Sequence, residues 1–359
     1  MTIPQEFRAR TRLPLLMAPM FQISNPAMVI SACRAGIIGS FPTANCRTTE
    51  ELNSWLDQID AELGPEDAPW AANLIIKSPR LDADLDCLVK HRVNLVITSV
   101  GSPRSVIEPL HAIGCKVLAD VATVEHAKKA IAAGVDGLVL LSAGAGGQTG
   151  WANGFAFVRA VRSFYDGIIA LAGGIIDGTA LRAAEVLGAD LGYMGTPFIA
   201  TAESPVADNY KKMLVDSEFD DIVLTRAFSG LETNMLRPSI IASGMDMALL
   251  DKTADFAVAA RTFGGEAAET SPRRWRDIWS AGHSVSGVRE VTGICELVSK
   301  IGSEYHIAVR ESYSYKIKRC DLTRAWFCGP PRTAEPSCRL QRAAYQPPAE
   351  CWVGHSFCR

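Results

Sequence analysis

The residues that point to chemistry in this 359-residue chain are mostly glycines. Two turns stand out, Ala172-Gly173-Gly174 in LAGGI and Met194-Gly195-Thr196 in YMGT. Glycine lets a bound group approach backbone N–H groups closely, and a helix start just downstream favours negative charge. A phosphate can be held this way without a lysine, and Thr196 adds a hydroxyl donor. One glycine turn would only reverse the chain, whereas two after successive strands point to a phosphate-bearing ligand. The stretch AGAGGQTG, residues 143–150, is more open than a turn requires. Either it is a flexible surface loop, or Gly146 and Gly147 lie over a flat cofactor and Gln148 reaches the reacting centre.

Other candidates carry two readings each. His283, in Trp279-Ser280-Ala281-Gly282-His283, titrates in the range useful to an acid or base, or else packs beside Trp279. Asn234 and Arg237, in ETNMLRPS, either anchor an anionic substrate or cap a helix. Trp275 and Trp279 are four apart, a spacing that shares one helical face and suggests packing. His126 reads as a capping or packing residue at a helix start, and His91 and His111 as surface residues. The chain has no H-E-x-x-H, no D-x-D-x-D-G and no C-x-x-C, so no metal is expected.

The elements that must position these residues recur with a strand–helix rhythm. Eight short apolar runs, Leu13–Ala18, Ile37–Ser40, Ala71–Ile76, Leu95–Ser99, Lys116–Asp120, Gly137–Leu141, Ile168–Ala172 and Leu191–Met194, do not alternate with polar residues. That is the pattern of parallel strands buried on both faces. Asn25 before Pro26, Thr48 with Glu51 three on, and Thr123 open helices between them, while Gly114, Gly134 and Gly188 sit where helices end. The fold expected is α/β, a (β/α)8 TIM barrel over residues 1–200. An open doubly wound sheet would show a Gly-rich turn after its first strand; here that strand ends in Ala18-Pro19-Met20-Phe21 instead. Barrel enzymes work at strand C-termini, which adds Asn73 and Asp120 to the candidates. Residues 201–315 read as a mostly helical lid or substrate region, and 316–359 as an irregular, poorly ordered tail.

Composition narrows the function classes. A net charge of −3 gives no footprint for nucleic acid. No apolar run reaches the length of a membrane span, and the polar N-terminus lacks a signal core, so a cytoplasmic protein is expected. Residues 316–359 hold eight Lys/Arg against three Asp/Glu and half of the ten cysteines, which leaves −8 for residues 1–315.

Taken together, the MAPM start, Asn73, AGAGGQTG, LAGGI, LGADLGYMGT and the later IWSAGHSVSGV resemble the nitronate monooxygenase family over roughly residues 10–300. The resemblance implies FMN bound in a TIM barrel, with Met20 and its neighbours and Asn73 near the ring. It also implies that Gly173, Gly174, Gly195 and Thr196 hold the phosphate and that a helical lid faces the flavin. The implied reaction oxidises alkyl nitronates with O2 to carbonyl compounds and nitrite. The alternative in the same family is an NAD(P)H-dependent reductase of an enoyl thioester or quinone. Two positions depart from the pattern: Gln148 stands where many members carry a histidine, and Asp120 where others often place a lysine. A neutral amide can hydrogen-bond an oxygen but takes no proton near neutral pH. His283 is then the candidate substitute acid or base. A flavin-free isomerase or synthase would call for a lysine or paired carboxylates at strand ends, and Asp120 stands there alone.

Overall fold

Runs of Val, Ile and Leu without alternation are satisfied only where a sheet is covered on both faces, and here the eight runs form one parallel sheet. The structure, a computed structural model, describes residues 3–247, 250 and 276–327, with side chains to 312. The strands are β1 (Leu15–Met17), β2 (Gly39–Pro42), β3 (Trp70–Ile75), β4 (Leu95–Ser99), β5 (Lys116–Val121), β6 (Gly137–Leu141), β8 (Ile168–Ala172) and β9 (Leu191–Met194). A two-residue strand, β7 (Gly147–Gln148), interrupts this series. Their order is β1-β9-β8-β6-β5-β4-β3-β2. Met17 N–H donates to Ile38 O at 2.8 Å and Ile38 N–H to Leu15 O at 3.0 Å, which closes β1 onto β2. The result is a (β/α)8 TIM barrel.

Alternate residues of each strand fill the barrel. Leu16, Ile38, Ala71, Ile97, Leu118, Val139, Ala170 and Leu191 form an interior cluster, which Ile3 and Phe7 of the N-terminal segment join. A larger cluster packs the outer strand faces against the helices. The expected caps are present: Asn25 accepts from Met28 N–H at 2.9 Å, and Thr123 from His126 N–H at 3.0 Å. Thr48 accepts from Glu51 N–H, while the Glu51 carboxylate reaches back to Arg47 N–H at 2.7 Å. Gly134 and Gly188 end their helices at φ +100° and +110°, a conformation that a Cβ disfavours.

Beyond β9 the region expected to be mostly helical contains a sheet. β10 (Ile222–Thr225) and β11 (Thr233–Leu236) pair antiparallel, and β11 also pairs with β7 of the glycine-rich loop, Asn234 opposite Gly147 and Thr233 opposite Gln148. Four-residue strands are too short to show a period, and every residue of β11 is buried, so no alternation marks it. A helix spans Ile294–Phe327, which makes residues 316–327 regular rather than irregular. Met1–Glu311 forms one compact unit, and residues 328–359 and Trp275 lie outside the described residues. Among the described residues no helix is long and apolar enough to cross a membrane, and no cluster of His, Cys, Asp or Glu could hold a metal.

His91 is not a surface residue. Its ring is almost covered, between Asp60 at 2.9 Å and Asn53 at 3.2 Å, because the helices carrying these groups pack side by side. His111 meets Asp136 at 2.8 Å.

One buried ion pair ties helix Gly154–Arg162 to the starts of two strands. Arg162 donates to Asp190 at 2.7 Å and to the carbonyls of Gly188, Tyr165 and Gly167, while Asp190 also accepts from Ile169 N–H. Removing one partner of such a pair leaves the other charge uncompensated. Asp190→Ala should therefore lower the unfolding free energy by about 3 kcal/mol in a urea titration, with the barrel's far-UV signal preserved before the transition.

Candidate active site at the strand C-termini

The strand ends converge on a cavity of about 350 Å³. Its floor comes from inward-facing residues one layer above the packed interior: Asn73 on β3, Ser99 on β4, Asp120 on β5, Leu141 on β6, Ala172 on β8 and Tyr193 on β9. The sequence-expected residues Ala18, Pro19, Met20, Phe21, Asn73, Asp120, Gly146, Gly147, Gln148, Ala172, Gly173, Gly174, Met194, Gly195 and Thr196 all line it. His283 does not.

One wall is a set of backbone N–H groups. Among the described residues, the amides of Gly173, Gly174, Gly195 and Thr196 donate to no protein acceptor. Thr196 opens the short helix Thr196–Ile199, where unpaired N–H groups are inherent. Gly173 (φ +105°) cannot carry a side chain, since a Cβ would stand 2.6 Å from Ser142 Oγ. Gly174 (φ +77°) is different: a Cβ there would meet nothing within 4 Å, so the left-handed turn opens onto free space. Unpaired N–H groups in this geometry are able to receive an anion through backbone dipoles.

The glycine-rich loop is fixed rather than flexible. Its β7 segment is hydrogen-bonded to β11, Thr149 N–H donates to Glu232 O at 3.0 Å, and Thr149 Oγ1 to Ser142 O at 2.8 Å. Asn234, buried on β11, donates Nδ2–H to Ala145 O at 2.7 Å. Asn234 is thus a loop anchor, and Arg237 lies exposed at the start of helix Arg237–Ala242; neither caps a helix with its side chain or reaches the cavity. Pinning the loop leaves the Gln148 side chain exposed at the cavity rim.

Residues 279–284 run across the opposite side as a strap. Leu236 N–H donates to Trp279 O, Trp279 N–H to Ser239 Oγ, and Tyr210 hydroxyl to Ser280 O. Gly282 N–H donates to Thr196 Oγ1 at 2.9 Å and His283 N–H to Gly144 O at 2.9 Å. Trp279 is not helical; it stacks on Tyr210, rings 4.6 Å apart and 13° from parallel, and its face borders the cavity. The His283 ring lies on the outer side of Gly144, so close that a Cβ on Gly144 would sit 2.5 Å from Nδ1. It packs on Phe219 at 4.4 Å, and burial lowers its pKa. His283 is therefore held away from the ligand space as a neutral packing group.

The electrostatics are one-sided. The described lining contains no lysine, arginine or histidine; its titratable groups are Asp120, Tyr193 and Tyr210. Burial pushes the Asp120 carboxyl up to about 7. Burial, then the nearby Asp120, raises Tyr193 well above the phenol range, and burial raises Tyr210 likewise. Asn73 donates Nδ2–H to Ile97 O at 3.0 Å and Ser99 Oγ at 3.2 Å, which leaves its oxygen as the group facing a ligand. The cavity-lining tyrosines escaped sequence reasoning, although the β9 alternation Leu191, Tyr193 carried the signal for one of them.

A family model described as nitronate monooxygenase matches residues 70–301. Among curated proteins, a (3aS,4S,5R,7aS)-5-hydroxy-7a-methyl-1-oxo-octahydro-1H-indene-4-carboxyl-CoA dehydrogenase of Rhodococcus jostii is 26% identical over 230 residues, 64% of this chain and 64% of that protein. A nitronate monooxygenase of Pseudomonas aeruginosa is 28% identical over 261 residues, 60% of this chain and 74% of that one. The solved structure of FabK from Thermotoga maritima superposes with a TM-score of 0.72 at 25% identity, covering 86% of this chain and 97% of its own.

Asn234→Ala would strand the Ala145 carbonyl, a loss of about 1–3 kcal/mol. Hydrogen exchange should show faster exchange of the amides of residues 144–149 in this variant, with the barrel strands unchanged.

Proposed function

The chain belongs to the nitronate monooxygenase family, and on that premise we propose that its barrel mouth binds FMN and oxidises alkyl nitronates with O2 to carbonyl compounds and nitrite. The observation that carries this reading is the pair of glycine turns, whose unpartnered N–H groups open onto free space at Gly174. Gly173, Gly174, Gly195 and Thr196 would hold the phosphate through these donors, with the Thr196 hydroxyl free to add its proton while its oxygen accepts from Gly282. The ring would lie over the floor made by Asn73, Asp120 and Tyr193, beside Met20 and beneath the pinned loop. Bound there, FMN supplies the electron-transfer chemistry.

The remaining steps belong to side chains of this chain. Gln148 stands at the rim with an amide N–H able to polarise a substrate oxygen. A nitronate is already deprotonated, so no base is needed on this side of the cavity, and His283 is turned away from it. The apolar lining from Ile23, Ile199 and Trp279 excludes water around the reacting carbon.

A second reading, NAD(P)H-dependent reduction of a neutral acceptor such as an enoyl thioester or quinone, is favoured by one observation. The described lining offers an anionic substrate no cation, and Asp120 opposes one. Purified protein should be yellow. Anaerobic mixing with propyl-2-nitronate should bleach it faster than NAD(P)H does; bleaching by NAD(P)H alone sinks the nitronate reading in favour of the reductase. In the first case Gln148→Leu should lower kcat/KM about tenfold, as expected for one lost hydrogen bond to a charged oxygen.

A further inference from the structure

We propose that Asp120 is a proton-linked contact for the cofactor ring: its carboxyl engages the ring in the neutral form, as a hydrogen-bond donor, so that binding takes up a proton from solvent. The inference rests on the flavin reading above and extends it to a residue whose charge sets the pH range of binding.

Asp120 occupies an inward position of β5, two residues beyond Leu118 of the interior cluster. Its Oδ1 is buried and has no hydrogen-bond partner. Neighbouring donors are committed elsewhere, since both Nδ2 bonds of Asn73 go to Ile97 O and Ser99 Oγ. Among the described residues no cation compensates the carboxylate: the lining from β3, β4, β6, β8 and the strap carries no charged group, and β9 brings only Tyr193, whose phenol stays neutral. Tyr210 gives its proton to Ser280 O, and His283 is neutral and lies behind Gly144. An ionised carboxylate in such a place lacks any group that favours its charge, consistent with a pKa already raised to about 7 by burial alone.

A flat ring laid on this floor removes the water that still reaches the carboxyl. Desolvation penalises the charged form further, whereas the neutral acid has an O–H to give and the isoalloxazine has ring nitrogens and carbonyls to accept it. The proton balance is simple. Well below pH 7 free Asp120 is mostly protonated and binding exchanges almost nothing. Above it, each binding event converts –COO⁻ to –COOH and consumes one proton, so affinity falls as pH rises.

The test titrates apoprotein with riboflavin, which lacks the phosphate and its own ionisation near pH 6, and in parallel with FMN, from about pH 5.5 to 9. The riboflavin Kd should be flat at low pH and rise above pH 7 toward about tenfold per unit. Asp120→Asn, which keeps the shape and a donor, should bind with no such slope. Calorimetry of the wild type at about pH 8, in two buffers of different ionisation enthalpy, should show uptake of about one proton. Affinity independent of pH, or rising with it because an ionised Asp120 accepts from the ring N–H, overturns the proposal while leaving flavin binding intact. Failure of both ligands to bind at any pH overturns the flavin reading and this inference with it.

Discussion

Among the described residues, the lining of this cavity presents an anion with no positive side chain, and much of the construction around the strand ends answers that lack. With no lysine or arginine in the described lining, a bound negative charge would fall to backbone N–H groups, which are effective only where the chain can be brought close and held. Hence the left-handed turn at Gly174, the side-chain-free approach at Gly173 and the unpaired N–H groups at the start of helix Thr196–Ile199. The same lack leaves Asp120 without a counter-charge, so a carboxyl on the floor behaves as an acid titrating near neutrality.

Fixed backbone donors demand a rigid frame, and the strap supplies it. Residues 279–284 are bonded to five pieces of the molecule: β11 through Leu236, helix Arg237–Ala242 through Ser239, helix Asp208–Val215 through Tyr210, the turn after β9 through Thr196, and the glycine-rich loop through Gly144. Gly282 is needed at its centre because the chain there passes so close to Gly144 and Gly146 that any Cβ would strike backbone atoms. Rigidity at a binding turn reduces the ordering cost on association. Here it comes from hydrogen bonds rather than from charge.

What could be read beforehand follows the length of each signal. The eight barrel strands announce themselves because burial on both faces leaves them uniformly apolar, and the Gly173-Gly174 turn because its left-handed angles disfavour a Cβ. Asp120, Asn73 and Gln148 fall on the cavity because strand order fixes which loop ends face inward. His283 shows the limit. Its residue type and motif matched an acid–base role, but the turn of the strap places the ring behind Gly144, and sequence spacing does not encode that direction. The β10–β11 pair went unread for a related reason: its strands have four residues each, and its partner β7 is two residues long and lies 85 to 87 positions away in the chain.

That small sheet has a consequence for how such an enzyme can be altered. Its three strands come from two parts of the chain, one inserted after the sixth barrel strand and one in the region beyond the barrel. A variant assembled by exchanging residues 222–236 alone would pair a foreign edge with the native Gly147–Gln148 segment, and the native loop would lose the Asn234 bond to Ala145. The natural unit of exchange is therefore discontinuous. Loop and hairpin must travel together, and divergence in substrate choice among barrels built this way should appear as paired change at both places.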